Sequence, residues 1–383
     1  MKTSLFKQTI SLMMTVTLSL STLPSESRAE EVQIFVSSFA PADKAGIYAF
    51  TVDTDTGELE ETANYKDIAH PFFLALSPNK TTLYSIHGES GFGGDVHEEV
   101  VALRVIDGDG NLRQLNKQST HGTASCYLDV DRRGRLLVVA NYTTGDVASY
   151  ALNSDGTANA SAAFYKHAGS SVNESRQKEP HAHCIVISPD NKYIYSADLG
   201  IDKIVSYKLG KNGAIKPLGD EHYATVAPGS GPRHLTFHPN GKHLYVINEL
   251  LNTITVFDYN ARNGHLNKKQ TIATLPADFE GTSHTADVKI TPDGRFAYGT
   301  NRGHDSLACY KVLANGTLEL IEIVESLGGG PQNLAVTPDG KLLICANMAG
   351  NNLALFKINQ AAGNITPIGK VHEIVAPSCI MIR

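Results

Sequence analysis

Residues 235–248 read LTFHPNGKHLYVIN: an apolar run, a turn, and a second apolar run that ends in asparagine. Five other stretches have the same form: LALSPNKTTLYSIH (74–87), LDVDRRGRLLVVAN (128–141), IVISPDNKYIYSAD (185–198), VKITPDGRFAYGTN (288–301) and LAVTPDGKLLICAN (334–347). Proline presets φ in such a turn, and glycine or asparagine accepts a positive φ, so the pattern predicts a β-hairpin. The turns recur about every 50 residues, and one copy has Arg132 in place of the proline.

A third strand-like run follows each copy, for example TITVFDY (253–259) or NLALFKI (352–358), and a more variable fourth segment completes the unit. Four strands in about 50 residues are typical of a propeller blade. The ends supply a seventh blade, because residues 377–382 resemble a first strand without a partner, whereas 34–38 and 47–52 resemble a second and a third strand. We therefore predict an all-β, seven-bladed β-propeller with four-stranded blades, closed by pairing of the N-terminal strands with the C-terminal strand.

The composition is that of a soluble globular protein: 42% of the 383 residues are hydrophobic and 19% are charged. The net charge of −6 and the lack of a basic run argue against nucleic acid and anionic membranes as main partners. The five cysteines lie singly in apolar runs, so we interpret them as small buried side chains, with one disulfide as the alternative. They are Cys126, Cys184, Cys309, Cys345 and Cys379.

The first 29 residues have the layout of a secretory signal peptide. Lys2 and Lys7 precede an apolar stretch over residues 10–23, and small residues follow up to Ala29, after which we expect cleavage. The stretch is shorter than the roughly 20 apolar residues of a membrane span and contains serine and threonine. We thus predict a signal peptide (1–29) and a single propeller domain (30–383) that is exported to the periplasm or secreted, with no membrane span after cleavage, as a monomer.

Candidate functional residues are those at which one copy departs from the others near a mouth of the central channel. The inner strands begin there and the second strands end there. Six positions before the turn, the copies have Phe72, Cys126, His183, Arg233, Ala286, Gln332 and Ser378. The second strands end in a recurring Asn or Asp, which we interpret as a structural cap; Glu249 and Arg302 each follow one of these caps. His183, Arg233, Glu249 and Arg302 are ionisable and unique to their copies, so we select them as the site.

These four side chains suit the chemistry of an anion. Two arginines can bind a carboxylate or phosphate through bidentate hydrogen bonds, Glu249 can activate water, and His183 can donate a proton. One alternative is a purely structural set of salt bridges between blades. Another is a metal site, because His181 and His183 share a face of a strand and could be joined by His70 and His284. No nucleotide-binding or serine-hydrolase motif occurs in a fitting context, and we predict no cofactor.

Two long stretches resemble the seven-bladed propeller lactonases, a family that includes the bacterial propeller type of 6-phosphogluconolactonase and the fungal carboxy-cis,cis-muconate cyclases. They are GSGPRHLTFHPNGKHLYVINEL (229–250) and PHAHCIVISPDNKYIYSADLGIDKIVSY (180–207). The resemblance runs from about residue 33 to the C-terminus. It implies a central-channel site made of His183 in PHAH, Arg233 in GPRH, Glu249 in NEL and Arg302 in NRG, without a metal.

The implied reaction is hydrolysis of a small, anionic sugar lactone, or the related cyclisation of a muconate. The usual family substrate, 6-phosphogluconolactone, is made in the cytoplasm, whereas the leader predicts export. The resemblance therefore supports the reaction class more strongly than the phosphorylated substrate. A second hypothesis is a non-catalytic extracytoplasmic propeller that binds a ligand or acts as a scaffold, because propellers host many functions.

We predict that the protein isolated from its native host lacks residues 1–29. N-terminal sequencing and intact mass measure this directly. A full-length chain recovered from the cytosol would contradict the export prediction and would make 6-phosphogluconolactone the natural substrate again.

Overall fold

The fold is described by a computed structural model over residue 1 and residues 31–89, 91–93, 96–219 and 223–383. The predicted signal peptide thus lies, apart from Met1, outside the described residues. The described part of the chain forms seven antiparallel sheets and contains no helix. It accordingly has no helix that is long and apolar enough to cross a membrane. The prediction of an all-β, seven-bladed propeller is confirmed.

The strands follow one another blade by blade. The first three are β1 (Glu31–Ser38), β2 (Gly46–Asp53) and β3 (Leu59–Tyr65). Blade 1 contains β4 (Leu74–Leu76), β5 (Thr82–His87), β6 (Glu99–Val105) and β7 (Leu112–Ser119). Blade 2 contains β8 (Ser125–Val130), β9 (Leu136–Asn141), β10 (Asp146–Leu152) and β11 (Ala158–Lys166). Blade 3 contains β12 (Ala182–Ile187), β13 (Tyr193–Asp198), β14 (Lys203–Leu209), β15 (Ile215–Pro217) and β16 (Tyr223–Thr225).

The remaining blades repeat this order. Blade 4 contains β17 (Pro232–Phe237), β18 (His243–Asn248), β19 (Thr253–Tyr259) and β20 (Leu266–Ala273). Blade 5 contains β21 (His284–Ile290), β22 (Phe296–Arg302), β23 (Ser306–Val312) and β24 (Leu318–Glu325). Blade 6 contains β25 (Pro331–Val336), β26 (Leu342–Asn347), β27 (Asn352–Ile358), β28 (Ile365–Pro367) and β29 (His372–Glu373). The last strand is β30 (Pro377–Ile382).

In two of the blades, the outermost strand is divided into two shorter strands. In blade 3 both β15 and β16 pair with β14, and in blade 6 both β28 and β29 pair with β27. The first piece ends at Pro217 in one blade and at Pro367 in the other. Because proline has no N–H to donate to the ladder, pairing is interrupted there. Each blade thus keeps four strand positions.

The ring closes as the sequence predicts. The sheet of blade 7 has the order β3-β2-β1-β30, in which Val36 lies opposite Ile380 and Ser37 opposite Cys379. The C-terminal strand is therefore the innermost strand of a blade whose other three strands come from the N-terminal part of the domain. Closure leaves no open edge between the first and last blades, and open edges favour aggregation.

Six of the seven inner strands, those of blades 2 to 7, carry a β-bulge near their start. In blade 3, Ala182 pairs with Asp198 and Cys184 with Ala197, so His183 has no opposite residue. Arg233 has the same place in blade 4. The corresponding bulge residues of blades 2, 5, 6 and 7 are Cys126, Ala286, Gln332 and Ser378. These are the residues that the repeat comparison places six positions before the turn. A bulge re-aims the side chain that it carries, and bulges are frequent beside active sites.

The predicted structural roles of the caps and the cysteines are visible in the contacts. The Asn141 side chain donates to the Thr120 carbonyl at 3.0 Å, and Asn301 and Asn347 make the matching bonds to Thr274 and Ser326 at 2.8 Å. These caps therefore tie the end of a second strand to the segment that leads into the same blade from the preceding one. All five cysteines, each of them described, are buried and free, so the alternative of a disulfide is not realised.

We predict that deleting residues 377–383 opens the ring and exposes two sheet edges. The lost strand buries Cys379 and Ile380, so the truncated protein should aggregate or melt about 10 °C or more below the intact one. Calorimetry and size-exclusion chromatography measure this. Removal of Arg383 alone, which keeps the whole strand, is the control. A soluble deletion protein with unchanged melting would contradict the assignment of blade 7.

Candidate active site

One cavity of about 330 Å³ brings the four predicted residues together. His183 and Arg233 are the bulge residues of β12 and β17, Glu249 directly follows β18, and Arg302 ends β22. All four line the cavity. The other lining residues are Phe39, Phe72, Phe92, Tyr142, Arg176, Gln332 and Met348. The geometry thus gathers the predicted set from blades 3, 4 and 5, while the role of each residue stays a prediction.

A larger cavity, of about 1000 Å³, lies along the turns between the first and second strands of blades 1 to 3. Its arginines, Arg132, Arg133 and Arg135, are exposed to solvent. We place the candidate site in the smaller cavity because that cavity holds buried charged groups with strongly perturbed pKa values, which mark functional sites more often than exposed charges do.

The Glu249 carboxylate is the centre of the site. Its Oε2 accepts hydrogen bonds from Arg233 Nε at 3.0 Å and Arg302 Nη2 at 2.9 Å, and its Oε1 accepts one from Arg176 Nη2 at 2.7 Å. The side chain is only 6% exposed. Burial raises the pKa of Glu249, but the charges of Arg302, Arg233 and the other nearby cations outweigh it and hold the pKa well below its usual range. Glu249 is therefore ionised at any ordinary pH.

Arg233 is buried, with its side chain 2% exposed. Besides Glu249, it donates from Nη1 to the Ala286 carbonyl at 2.6 Å and to His234 Nε2 at 3.1 Å. Its Nη2 has no hydrogen-bond partner among the described residues. Burial, together with the charge of Arg302, lowers the pKa of Arg233 to about 10, so the guanidinium still carries its charge at neutral pH. Arg233 thus keeps a charged donor, Nη2, that no group in the described part of the chain uses.

Arg302 is anchored by neighbouring backbone as well as by Glu249. Its Nε donates to the His284 carbonyl at 3.2 Å and its Nη2 to the Thr285 carbonyl at 3.1 Å, whereas Nη1 is 3.3 Å from Gln332 Oε1. The three ion pairs of Glu249 therefore do tie parts of the ring together, as the structural alternative predicted. They also point charged donors into a cavity, which a purely structural set does not require.

Arg176 is a site residue that the sequence comparison missed. It lies in the segment between β11 and β12, which has no counterpart in the other copies. Asn173 Oδ1 caps this segment by accepting from the backbone N–H groups of Ser175 and Arg176 at 3.1 Å each, and buried Gln177 donates to the Leu199 carbonyl at 2.8 Å. The segment is thus built to deliver Arg176. The available signal was weak: an arginine just upstream of PHAH.

His183 is a buried, neutral imidazole. Burial, then the charges of Arg233 and His234, hold its pKa well below the usual range. Its Nδ1 lies 3.7 Å from Cys126 Sγ, and its ring is edge-on to Tyr142 at 5.2 Å. A neutral ring can make hydrogen bonds in the cavity but holds no spare proton for release at neutral pH.

The alternative metal set of His70, His181, His183 and His284 does not assemble. His181 stacks on Tyr142 at 4.6 Å, and its Nδ1 is 3.0 Å from the Tyr142 carbonyl. His70 Nδ1 lies 3.0 Å from the Gly88 carbonyl. Over the described residues, no group of three or more potential metal ligands is found.

Three phenylalanines form an apolar part of the cavity. Phe72 lies 5.2 Å from Phe39 and 4.6 Å from Phe92, ring centre to ring centre, in edge-to-face contacts. Phe72 holds in blade 1 the place that His183 and Arg233 hold in theirs. A cavity that combines several cations with aromatic rings suits a small, anionic ring compound.

The fold is that of a seven-bladed β-propeller, and its cavity holds a buried carboxylate among three arginines. The chain belongs to the family "Lactonase, 7-bladed beta-propeller", whose model matches residues 33–382. It is 33% identical to the 6-phosphogluconolactonase of Bacillus subtilis over 90% of this chain and 97% of that one. The Formosa agariphila 6-phosphogluconolactonase is 32% identical over 87% and 94%. The structure of the Pseudomonas aeruginosa periplasmic gluconolactonase, 28% identical, superimposes with a TM-score of 0.86 and covers 92% of this chain and 99% of that one. The family resemblance of the sequence is confirmed.

We predict that Arg176→Ala weakens the binding of gluconate, used as an anionic probe, about tenfold or more, because one charge-assisted donor is lost. Isothermal titration calorimetry measures the change. Arg176 is 34% exposed, so the melting temperature should change little. The matched control is Lys341→Ala, since Lys341 is 36% exposed and forms an ion pair with Asp55 away from the cavity. Equal gluconate affinity in the two variants would exclude Arg176 from the site.

Proposed function

We propose that the protein is a carboxylic ester hydrolase that opens a small, anionic sugar lactone, as 6-phosphogluconolactonases do. The observation that carries the proposal is the buried, ionised Glu249 in contact with three arginines in one cavity, of which Arg233 keeps an unused donor. Family membership, and relatives named 6-phosphogluconolactonase and gluconolactonase, support the same reaction class.

The charges of the site favour an anionic substrate. Three guanidinium groups face one carboxylate, and His183 is neutral, so positive charge is in excess. A phosphate or carboxylate on the lactone would balance it, and the phenylalanines would cover the carbon face of the ring. The same excess charge stabilises the oxyanion that develops on the lactone carbonyl, with Arg233 Nη2 as the donor.

Hydrolysis then needs a proton to leave water and return to the ring oxygen. Glu249 accepts a proton from a water molecule as the water oxygen bonds to the carbonyl carbon. The tetrahedral intermediate collapses, the bond between the carbonyl carbon and the ring oxygen breaks, and the protonated Glu249 returns its proton to the alkoxide. The product is the open hydroxy acid, and Glu249 is ionised again.

The low pKa of Glu249 makes it a weak base before a substrate binds, since a base works best when its pKa lies near the working pH. An anionic substrate would draw arginine donors towards itself and add negative charge beside Glu249. Both effects raise the pKa of the carboxyl group. Binding of the correct substrate would thus activate the base.

The role of His183 changes from the one that the sequence suggested. A neutral imidazole with a low pKa supplies no proton to an alkoxide at neutral pH, so we assign that step to Glu249. His183 instead contributes a hydrogen bond to the bound lactone or water.

The site of action follows from the predicted leader. Export would place the enzyme where lactones other than the cytoplasmic 6-phosphogluconolactone occur. The similarity to a protein described as a periplasmic gluconolactonase supports this location.

An assay of the mature protein on a panel of sugar and muconate lactones tests the proposal, with turnover of at least one sugar lactone as the expected result. Turnover of a muconate lactone alone would favour the cyclase alternative.

Glu249→Gln should lower kcat about 10²- to 10⁴-fold with little change in affinity, because the base is lost and the shape is kept. Arg233→Lys should raise KM and lower kcat, because the planar fork is lost.

Melting temperatures measured beside the kinetics separate chemistry from stability. Glu98→Gln is the control: Glu98 is an equally buried carboxylate that accepts the Ala124 N–H at 2.8 Å and does not line the cavity. It should lose stability but keep its activity per folded molecule. A Glu249→Gln protein that retains full activity on the best lactone would sink the mechanism and favour a propeller that binds without turnover.

A further inference from the structure

A buried layer of side chains lies next in sequence to the positions that supply part of the cavity lining. Each blade contributes the residue five positions before the turn of its repeat, and all seven are buried: Phe73, Tyr127, Cys184, His234, Asp287, Asn333 and Cys379. The Tyr127 ring lies 4.1 Å from Phe73 and 5.0 Å from His234, so side chains from blades 1, 2 and 4 meet there. In this inner layer, blades 1 and 2 contribute the aromatic rings of Phe73 and Tyr127.

The other side of the inner layer is a polar network centred on Asp287. Asp287 Oδ1 is 2.9 Å from His234 Nδ1, and Oδ2 accepts from Asn333 Nδ2 at 2.8 Å and from the Leu334 N–H at 3.0 Å. Lys289 Nζ lies 2.8 Å from the same oxygen. Burial raises the pKa of Asp287, but Lys289 and His234 outweigh it and hold the pKa well below the usual range. A charged acceptor is thus fixed in the core by four donors.

His234 joins this network to the site. Because Asp287 accepts the proton on Nδ1, the neutral ring has its lone pair on Nε2, which lies 3.1 Å from Arg233 Nη1. Burial, together with the charge of Arg233, lowers the pKa of His234 to about 3, which keeps the ring neutral. Arg233 therefore donates to His234, and the Asp287 carboxylate sets the tautomer of that imidazole.

We propose that Asp287 and His234 are positioning residues for Arg233. Through the chain from Asp287 to His234 to Arg233, they hold the guanidinium so that Nη2 faces the carbonyl of the bound lactone. Without the Asp287 carboxylate, the Nδ1–H tautomer of His234 is no longer favoured. A proton on His234 Nε2 would then face the N–H of Arg233 Nη1, and no hydrogen bond could form between them. The inference rests on the proposed lactonase function, because the donor matters when charge develops on the carbonyl oxygen.

A double-mutant cycle tests the proposal on the lactone that the wild type hydrolyses best. Asp287→Asn and His234→Leu should each lower kcat about 10- to 100-fold, with KM within about threefold. Both losses should shrink to less than about threefold in an Arg233→Lys background, because the group being positioned is gone. His234→Gln, whose amide oxygen can accept from Arg233 Nη1, should recover a large part of the loss of His234→Leu. This comparison suffices if Asp287→Asn does not fold.

The chain offers a matched control in a second buried pair. His167 Nδ1 lies 2.6 Å from Asp198 Oδ2, both side chains are buried, and neither lines the cavity. Asp198→Asn should lower the melting temperature while kcat per folded molecule stays unchanged. Equal losses of kcat in the wild-type and Arg233→Lys backgrounds, or wild-type kcat in folded His234→Leu, would overturn the proposal.

The two proposals fail in different ways. If no lactone is turned over, the proposed function fails. The positioning inference, which concerns the charge that develops on the lactone carbonyl, then fails with it. If a lactone is turned over but the cycle shows no coupling, only the positioning inference fails.

Discussion

The inner strands of blades 2 to 7 each hold one residue more than the strand beside them, and the site depends on that extra residue. The bulge at His183 and Arg233 removes these residues from the ladder and turns their side chains into the cavity. It also lets consecutive residues cooperate. Strict alternation would place Arg233 and His234 on opposite faces, yet Arg233 Nη1 lies 3.1 Å from His234 Nε2. Pairing of β1 with β30 completes blade 7 and so closes the ring that carries these six bulges.

Burying so many charges is expensive, and this limits what the site can be for. A buried ion pair often stabilises a protein no better than well-packed apolar residues of the same volume would. Glu249 with its three arginines, and Asp287 with its four donors, are therefore poorly explained as devices for stability alone. They are better explained as fixed charges, arranged before the substrate arrives, so that the reaction need not reorganise its surroundings.

The features shared by the repeat copies could be predicted from the sequence, whereas features confined to one blade or one segment were missed. The blade count, the closure and the gathering of four residues all followed from aligning the copies. Arg176 was missed because its segment has no copy to compare, and the divided outer strands were missed because Pro217 and Pro367 lie in the most variable part of the blade. The sequence suggested His183 as a proton donor, but burial lowers its pKa and keeps the ring neutral. The spacing of residues along the chain does not reveal that burial. His234 and Asp287 were missed because a bulge breaks the alternation by which facing residues are chosen.

The proposed mechanism connects the charge of the substrate to the strength of the base. Before a substrate binds, the arginines hold the pKa of Glu249 too low for effective proton abstraction. A neutral lactone would enter without drawing those arginines away, and the base would stay weak. An anionic lactone competes for the same donors and, by raising the pKa of Glu249, increases the rate of the chemical step as well as its own affinity. Arg233 is buried and donates to His234, so in this mechanism it is the arginine least free to follow the substrate anion and stays in place for the carbonyl. Arg176 is 34% exposed and is the arginine best placed to move. The division between a fixed and a movable arginine would let one cluster both recruit the anion and stabilise the oxyanion.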